Sequence, residues 1–170
     1  MKSTENKQAG IKFHKLTYKL IPDLVGLSFD FQLVFDGFGS DYMFDIVGLK
    51  ASSLQDGIYP IIICSCGMIG CGGIYITTKI QGEELIWEKF WDGQSCGSPE
   101  DEDQLSEFDL IFPYDEKNEH LLIASPISFQ LSEYLTLSDE LVKESIKLYK
   151  NEKQFQDTLE EFLSGDVFIP

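Results

Sequence analysis

Three cysteines crowd one short stretch of the chain, Cys64, Cys66 and Cys71 in the pattern C-x-C-x4-C, and a fourth, Cys96, follows in an acidic loop. Thiolates are good zinc ligands, structural zinc takes four ligands in a tetrahedron, and a turn between strands can aim several thiols at one point. Gly67, Gly70, Gly72 and Gly73 would let the backbone fold tightly enough to do so. Cys64, Cys66, Cys71 and Cys96 are therefore the candidate metal set, with His14 or His120 as an alternative fourth ligand. A plainer reading ranks ahead of it. The spacing is not the C-x2-C of common zinc knuckles, and in an extended strand Cys64 and Cys66 share one face, as two small buried hydrophobes would. No cofactor beyond this structural zinc is called for. Redox catalysis ranks last, because no cation, histidine or helix N-terminus flanks the thiols to lower their pKa.

The other chemistry-bearing residues form no recognised constellation. His14 and His120 are isolated among strand or turn residues and lie in no hydrolase motif. The glycine-rich stretch lacks the G-x4-G-K-[ST] pattern that cradles phosphates. Glu100, Asp101, Glu102 and Asp103 form an acidic run, without the alternating oxygen ligands and central glycine of a calcium-binding EF-hand loop. An ordinary charge run of this kind is a solvated loop.

Thirteen basic residues against 29 acidic ones give a formal net charge of -16. A field of that sign repels phosphate backbones and anionic lipid headgroups, so neither nucleic acid nor membrane is an expected partner. It would accelerate encounter with a basic protein. The first ten residues are polar, without the apolar stretch of a secretory signal, and no later run is long enough to span a bilayer. The expected location is cytoplasmic, where cysteines stay reduced or bind metal.

The elements that must position these residues are mostly strands. At 170 residues, with 43% hydrophobic and 13% aromatic content, the chain can build one core, and residues 1–170 are expected to form a single domain with a flexible tail over 1–10. Residues 11–21 alternate apolar and polar as a strand, ended by Pro22 and Asp23, and residues 27–35 alternate more cleanly. The Asp36–Asp41 stretch supplies turn residues, so Tyr42–Leu49 reads as the hairpin partner of the preceding strand, followed by a loop to Tyr59. Three strands joined tightly come next, around Ile61–Ile63, Ile74–Ile80 and Leu85–Trp91. Phe108–Tyr114 and Leu121–Ala124 are further strand candidates, and Ser125–Leu131 is either a strand or the entry to a helix.

The period then changes. Thr136 or Ser138 is the expected cap of a helix with an apolar stripe of Leu141, Val142, Ile146, Leu148 and Tyr149. Phe155, Leu159, Phe162 and Leu163 follow a second helical stripe that stops near Gly165. The fold class expected is α+β, a mainly antiparallel β-sheet with one or two C-terminal helices packed on it.

The cysteine segment, leading into a strand and then into Ile86, Trp87, Glu88, Lys89 and Phe90, resembles a family of small, uncharacterised bacterial cytosolic proteins. In these a C-x-C-G-x-x-G-C-G-G stretch precedes a Trp-containing β-hairpin. Compact acidic proteins of this sort are often similar to immunity proteins that neutralise basic toxins, and the charge fits that implication. The resemblance implies no catalytic residues. The function expected is therefore an acidic domain that binds and neutralises or escorts a basic protein partner, such as a toxin. Trp91, Glu100, Asp101, Glu102 and Asp103 are its candidate contacts, because aromatic anchors supply binding energy and charge supplies encounter rate. The alternative is a small zinc- or thiol-dependent enzyme built around Cys64, Cys66 and Cys71, and it ranks second.

Overall fold

In the computed structural model, the described residues are 14–21, 24–29, 42–64, 72–93, 114–115, 118–149 and 152–165. The fold is α+β, as its alternating strands followed by helical stripes imply. Strands β1 (Leu16–Ile21) and β2 (Leu24–Phe29) pair antiparallel with each other, Ile21 opposite Leu24, as a separate two-stranded sheet. The main sheet has seven strands: β3 (Tyr42–Phe44), β4 (Gly57–Cys64), β5 (Gly73–Gln81), β6 (Glu84–Asp92), β7 (Tyr114–Asp115), β8 (Asn118–Leu122) and β9 (Ile127–Gln130). They run in the order β3-β4-β5-β6-β8-β7, every pair antiparallel, with β9 beside β6 along Glu84–Trp87.

The hairpin expected between residues 27–35 and Tyr42–Leu49 is not formed among the described residues, and residues 30–41 lie outside them. Tyr42–Phe44 pairs with β4, and the chain that should have continued as strand to Leu49 turns into helix α1 (Ile46–Ser52). Ile46 and Val47 carry the β-branching that suggests a strand. The stronger local signal is Asp45, whose carboxylate accepts from the Gly48 backbone N–H at 2.8 Å and caps the helix. Ser52 and Ser53 then close its other end by donating to the Leu49 and Lys50 carbonyls. Gly48 is required for packing, since a Cβ there would lie 2.0 Å from the Pro60 carbonyl oxygen, so α1 lies almost on the backbone of β4.

The C-terminal helices are α2 (Leu131–Tyr149) and α3 (Glu152–Ser164), the latter followed by Gly165 at φ +78°. Ser125–Leu131 resolves into β9 running straight into α2, so Thr136 and Ser138 lie inside the helix instead of capping it. Their hydroxyls donate to the Ser132 and Leu135 carbonyls, three or four residues back, a bond that serves equally in mid-helix. The innermost stripe of α2 is Tyr134, Ser138, Leu141 and Ser145, and the expected Val142 and Ile146 flank it half-buried. The second stripe is as read: Phe162 is buried, and Phe155, Leu159 and Leu163 are half-buried. The core lies between this helical layer and one sheet face, where Trp87 meets Phe129, Tyr134 and Phe90 edge-on, its ring centroid 4.9 Å from that of Phe129.

A bulge decides which β6 residues face that core. Thr77 pairs with Lys89 and Thr78 with Trp87, leaving Glu88 as the extra residue. Trp87 and Phe90, three apart, thereby share the helix-covered face. Lys89 and Trp91 are turned to the opposite face with Thr77 and Tyr75, their cross-strand partners. Among the described residues no helix is long and apolar enough to cross a membrane.

Candidate functional site

The cysteine segment joins two paired neighbours. Ile63 of β4 is opposite Gly73 of β5, so residues 65–72 connect adjacent antiparallel strands. Gly73 has φ +126°, and a Cβ on it would stand 1.9 Å from the Ile62 carbonyl oxygen, so only glycine fits where the chain re-enters the sheet. Cys64 ends β4 as a half-buried free thiol opposite Tyr42. Cys66, Cys71 and Cys96 lie outside the described residues, among which no group of three or more potential metal ligands occurs. The flanks of the segment and of the Cys96 loop do meet. Ile74 pairs with Asp92, and the Gly93 N–H donates to the Gly73 carbonyl at 2.9 Å.

Trp91 lies in β6, half-buried on the sheet face away from the helices, and not in the polar loop that follows. Its Nε1 donates to Thr77 Oγ1 at 2.8 Å, and Lys89 Nζ stands 5.9 Å from the ring centroid. The immediate company of the indole is thus cationic. Glu100, Asp101, Glu102 and Asp103 lie outside the described residues, so the expected cluster of these acids with Trp91 does too.

The described acids concentrate on the helices. Along α3, Glu152, Asp157, Glu160 and Glu161 are all exposed, with Lys153 the one basic residue of that helix. Glu160 and Glu161 stand near its C-terminal end, where the aligned peptide dipoles present partial negative charge and carboxylates are unfavourable. No basic residue occupies the last turn, and neither carboxylate forms an ion pair among the described residues. On α2, Asp139 is matched by Lys50 of α1 at 2.6 Å and Glu144 by Lys147.

A cleft of about 380 Å³ opens where residues 14–16 pass β9 and the start of α2. It follows from one backbone bond, His14 N–H to the Ser128 carbonyl at 2.7 Å, which holds that stretch against β9. Leu16, Phe129, Tyr134 and Leu137 give it an apolar floor. Glu133 and Glu140 rise from α2 on one side, and Lys15 stands on the other. Sequence reasoning missed this place, because its two sides are far apart in the chain. The only local signal is the helical spacing of Glu133, Leu137 and Glu140.

Two buried polar groups underlie these features. The Tyr134 hydroxyl and Ser52 Oγ are 3.0 Å apart, joining α2 to α1, and burial pushes the phenol well above its usual pKa. Burial also pushes the Asp45 carboxyl up to about 6, against the opposing pull of the Gly48 and Val47 N–H groups. Comparison of the chain with protein-family models, with curated proteins and with solved structures found no match.

Proposed function

We propose that this chain is an acidic interaction domain that binds a basic protein partner, in the manner of an immunity protein that neutralises a toxin. The observation that carries this reading is the outer face of α3. Two carboxylates held against the helix dipole, with no neutralising partner among the described residues, oppose the stability of their own helix. Such a local conflict is the mark of a residue kept for what it contacts outside the fold. The net charge of -16 extends the same preference over the whole chain.

The test is association with a basic protein recovered on the immobilised chain from native lysate, measured across ionic strength. Affinity is expected to fall steeply with added salt and to weaken in the Glu160→Gln/Glu161→Gln variant. Recovery of no basic protein, or binding indifferent to salt, would count against the reading.

A second reading has its own observation. The Gly93 to Gly73 bond brings together the bases of the two stretches that carry Cys66, Cys71 and Cys96, at the end of the sheet where Cys64 terminates β4. This favours a zinc ion held by the four thiolates. A closed four-thiolate site stabilises a fold, so it is compatible with the first reading, whereas a zinc- or thiol-dependent enzyme would need an open position or an activated thiol. Elemental analysis of protein purified without added metal is expected to give one zinc per chain, lost in Cys64→Ala or Cys71→Ala. Four freely titrating thiols and no metal would remove this reading.

A further inference from the structure

We propose that the cleft between residues 14–16, β9 and α2 is a subsite for a single arginine side chain of the basic partner. The inference rests on the acidic-interaction reading and adds where one specific contact is made.

The shape and the chemistry agree on this occupant. At about 380 Å³ the cleft is near the small end of ligand-binding cavities, which run from roughly 300 to 1,000 Å³, and suits an extended side chain with its flanking backbone. An arginine combines an aliphatic stem with a flat cationic head, and the cleft lining holds both apolar side chains and carboxylates. Half-buried Leu137, packed over the buried Leu16 and Phe129, offers apolar surface for the stem, while the exposed Glu133 and Glu140 offer carboxylates for the guanidinium. Leu137 lies between the two acids along the helix, so stem and head are served by one face of α2. Lys15, which lines the cleft from the chain segment before β1, disfavours a cationic head near it and leaves the α2 acids as the matching partners. Neither Glu133 nor Glu140 forms an ion pair with another described residue, in contrast to Asp139 and Glu144 on the same helix.

The floor is closely packed. Phe129 and Tyr134 are buried, their ring centroids 5.3 Å apart, and the Tyr134 hydroxyl is held at Ser52. A partner's side chain therefore meets a preformed surface.

The experiment uses the full chain labelled with nitrogen-15 and titrated with the blocked tripeptide Gly-Arg-Gly, with its citrulline counterpart as the neutral control. Arginine peptide is expected to shift the amides of residues 14–16 and 129–140, and citrulline peptide to leave them in place. In Glu133→Gln/Glu140→Gln the dissociation constant should rise roughly three- to tenfold, the scale for losing two partly exposed ion pairs. In Glu88→Gln, an exposed acid of β6 outside the cleft, it should be unchanged. No shift at millimolar peptide, equal shifts with citrulline, or shifts confined to α3 would overturn the subsite. The last outcome, together with salt-sensitive capture of a basic protein, would leave the general reading standing while removing this one. Loss of salt-sensitive capture with the cleft shifts intact would do the reverse.

Discussion

Asp45 serves two opposed physical demands. Its carboxylate satisfies a backbone N–H at the start of α1, yet the residue is only 7% exposed, and burial lifts its pKa from 3.8 to about 6. Because the folded pKa lies above the unfolded one, the folded chain holds the proton more tightly. Stability from this group is therefore greatest below about 4, is lost as pH rises toward 6, and does not return above that. The Asp45→Asn variant keeps an acceptor for the cap and removes the titration. Its stability relative to the parent, followed by denaturant unfolding, should rise by about 3 kcal/mol between about pH 2 and 7, the equivalent of the pKa difference. A constant difference across that range would mean that the carboxylate is not desolvated as described.

At the scale of elements, α1 is the piece on which the helical layer depends. It lies against β4, touches both α2 and α3, and contributes Lys50 to Asp139 and Ser52 to Tyr134. Gly48→Ala forces a methyl group to 2.0 Å from the Pro60 carbonyl, so α1 must lift from the strand. Overpacking of this kind costs typically ~1–3 kcal/mol, which a lowered denaturant midpoint should report. The α3 acids predict the opposite sign. Replacing Glu160 and Glu161 by Gln removes an unfavourable dipole interaction of ~0.3–1 kcal/mol each, so the thermal midpoint should rise modestly while partner association weakens. A variant that gains stability with association intact would show that the α3 face is only a solvated surface.

Enrichment in β-branched and aromatic residues over Ile74–Ile80 and Leu85–Trp91 made the two central strands legible, and the spacing of Phe155, Leu159, Phe162 and Leu163 made α3 legible, because each signal lies within a few residues. The strand read over Tyr42–Leu49 failed for an equally local reason: β-branched residues masked the cap at Asp45. The cleft was illegible for a nonlocal one. Lys15 and Glu140 share it only because the backbone at His14 is bonded to β9 and β9 runs directly into α2.

On the scale of the whole molecule, charge is unevenly placed among the described residues. The outer helical side carries the acids of α3 and the cleft wall, while the sheet face away from the helices exposes Lys79 and Lys89 beside Trp91. Under the proposed reading this distribution would direct a basic partner toward the helices, and Trp91, with a lysine over its ring, is the less favoured of the anchors read from sequence. By itself the sequence determined the net charge, the class of fold and the crowding of cysteines between two strands, since these follow from composition and short-range period. Only the tertiary structure decided which acids share a surface, which face receives Trp91 and where an apolar floor opens beneath two carboxylates. Those outcomes depend on a bulge at Glu88, a single backbone bond at His14 and the close seating of Gly48 on Pro60, contacts between residues that the linear order keeps apart.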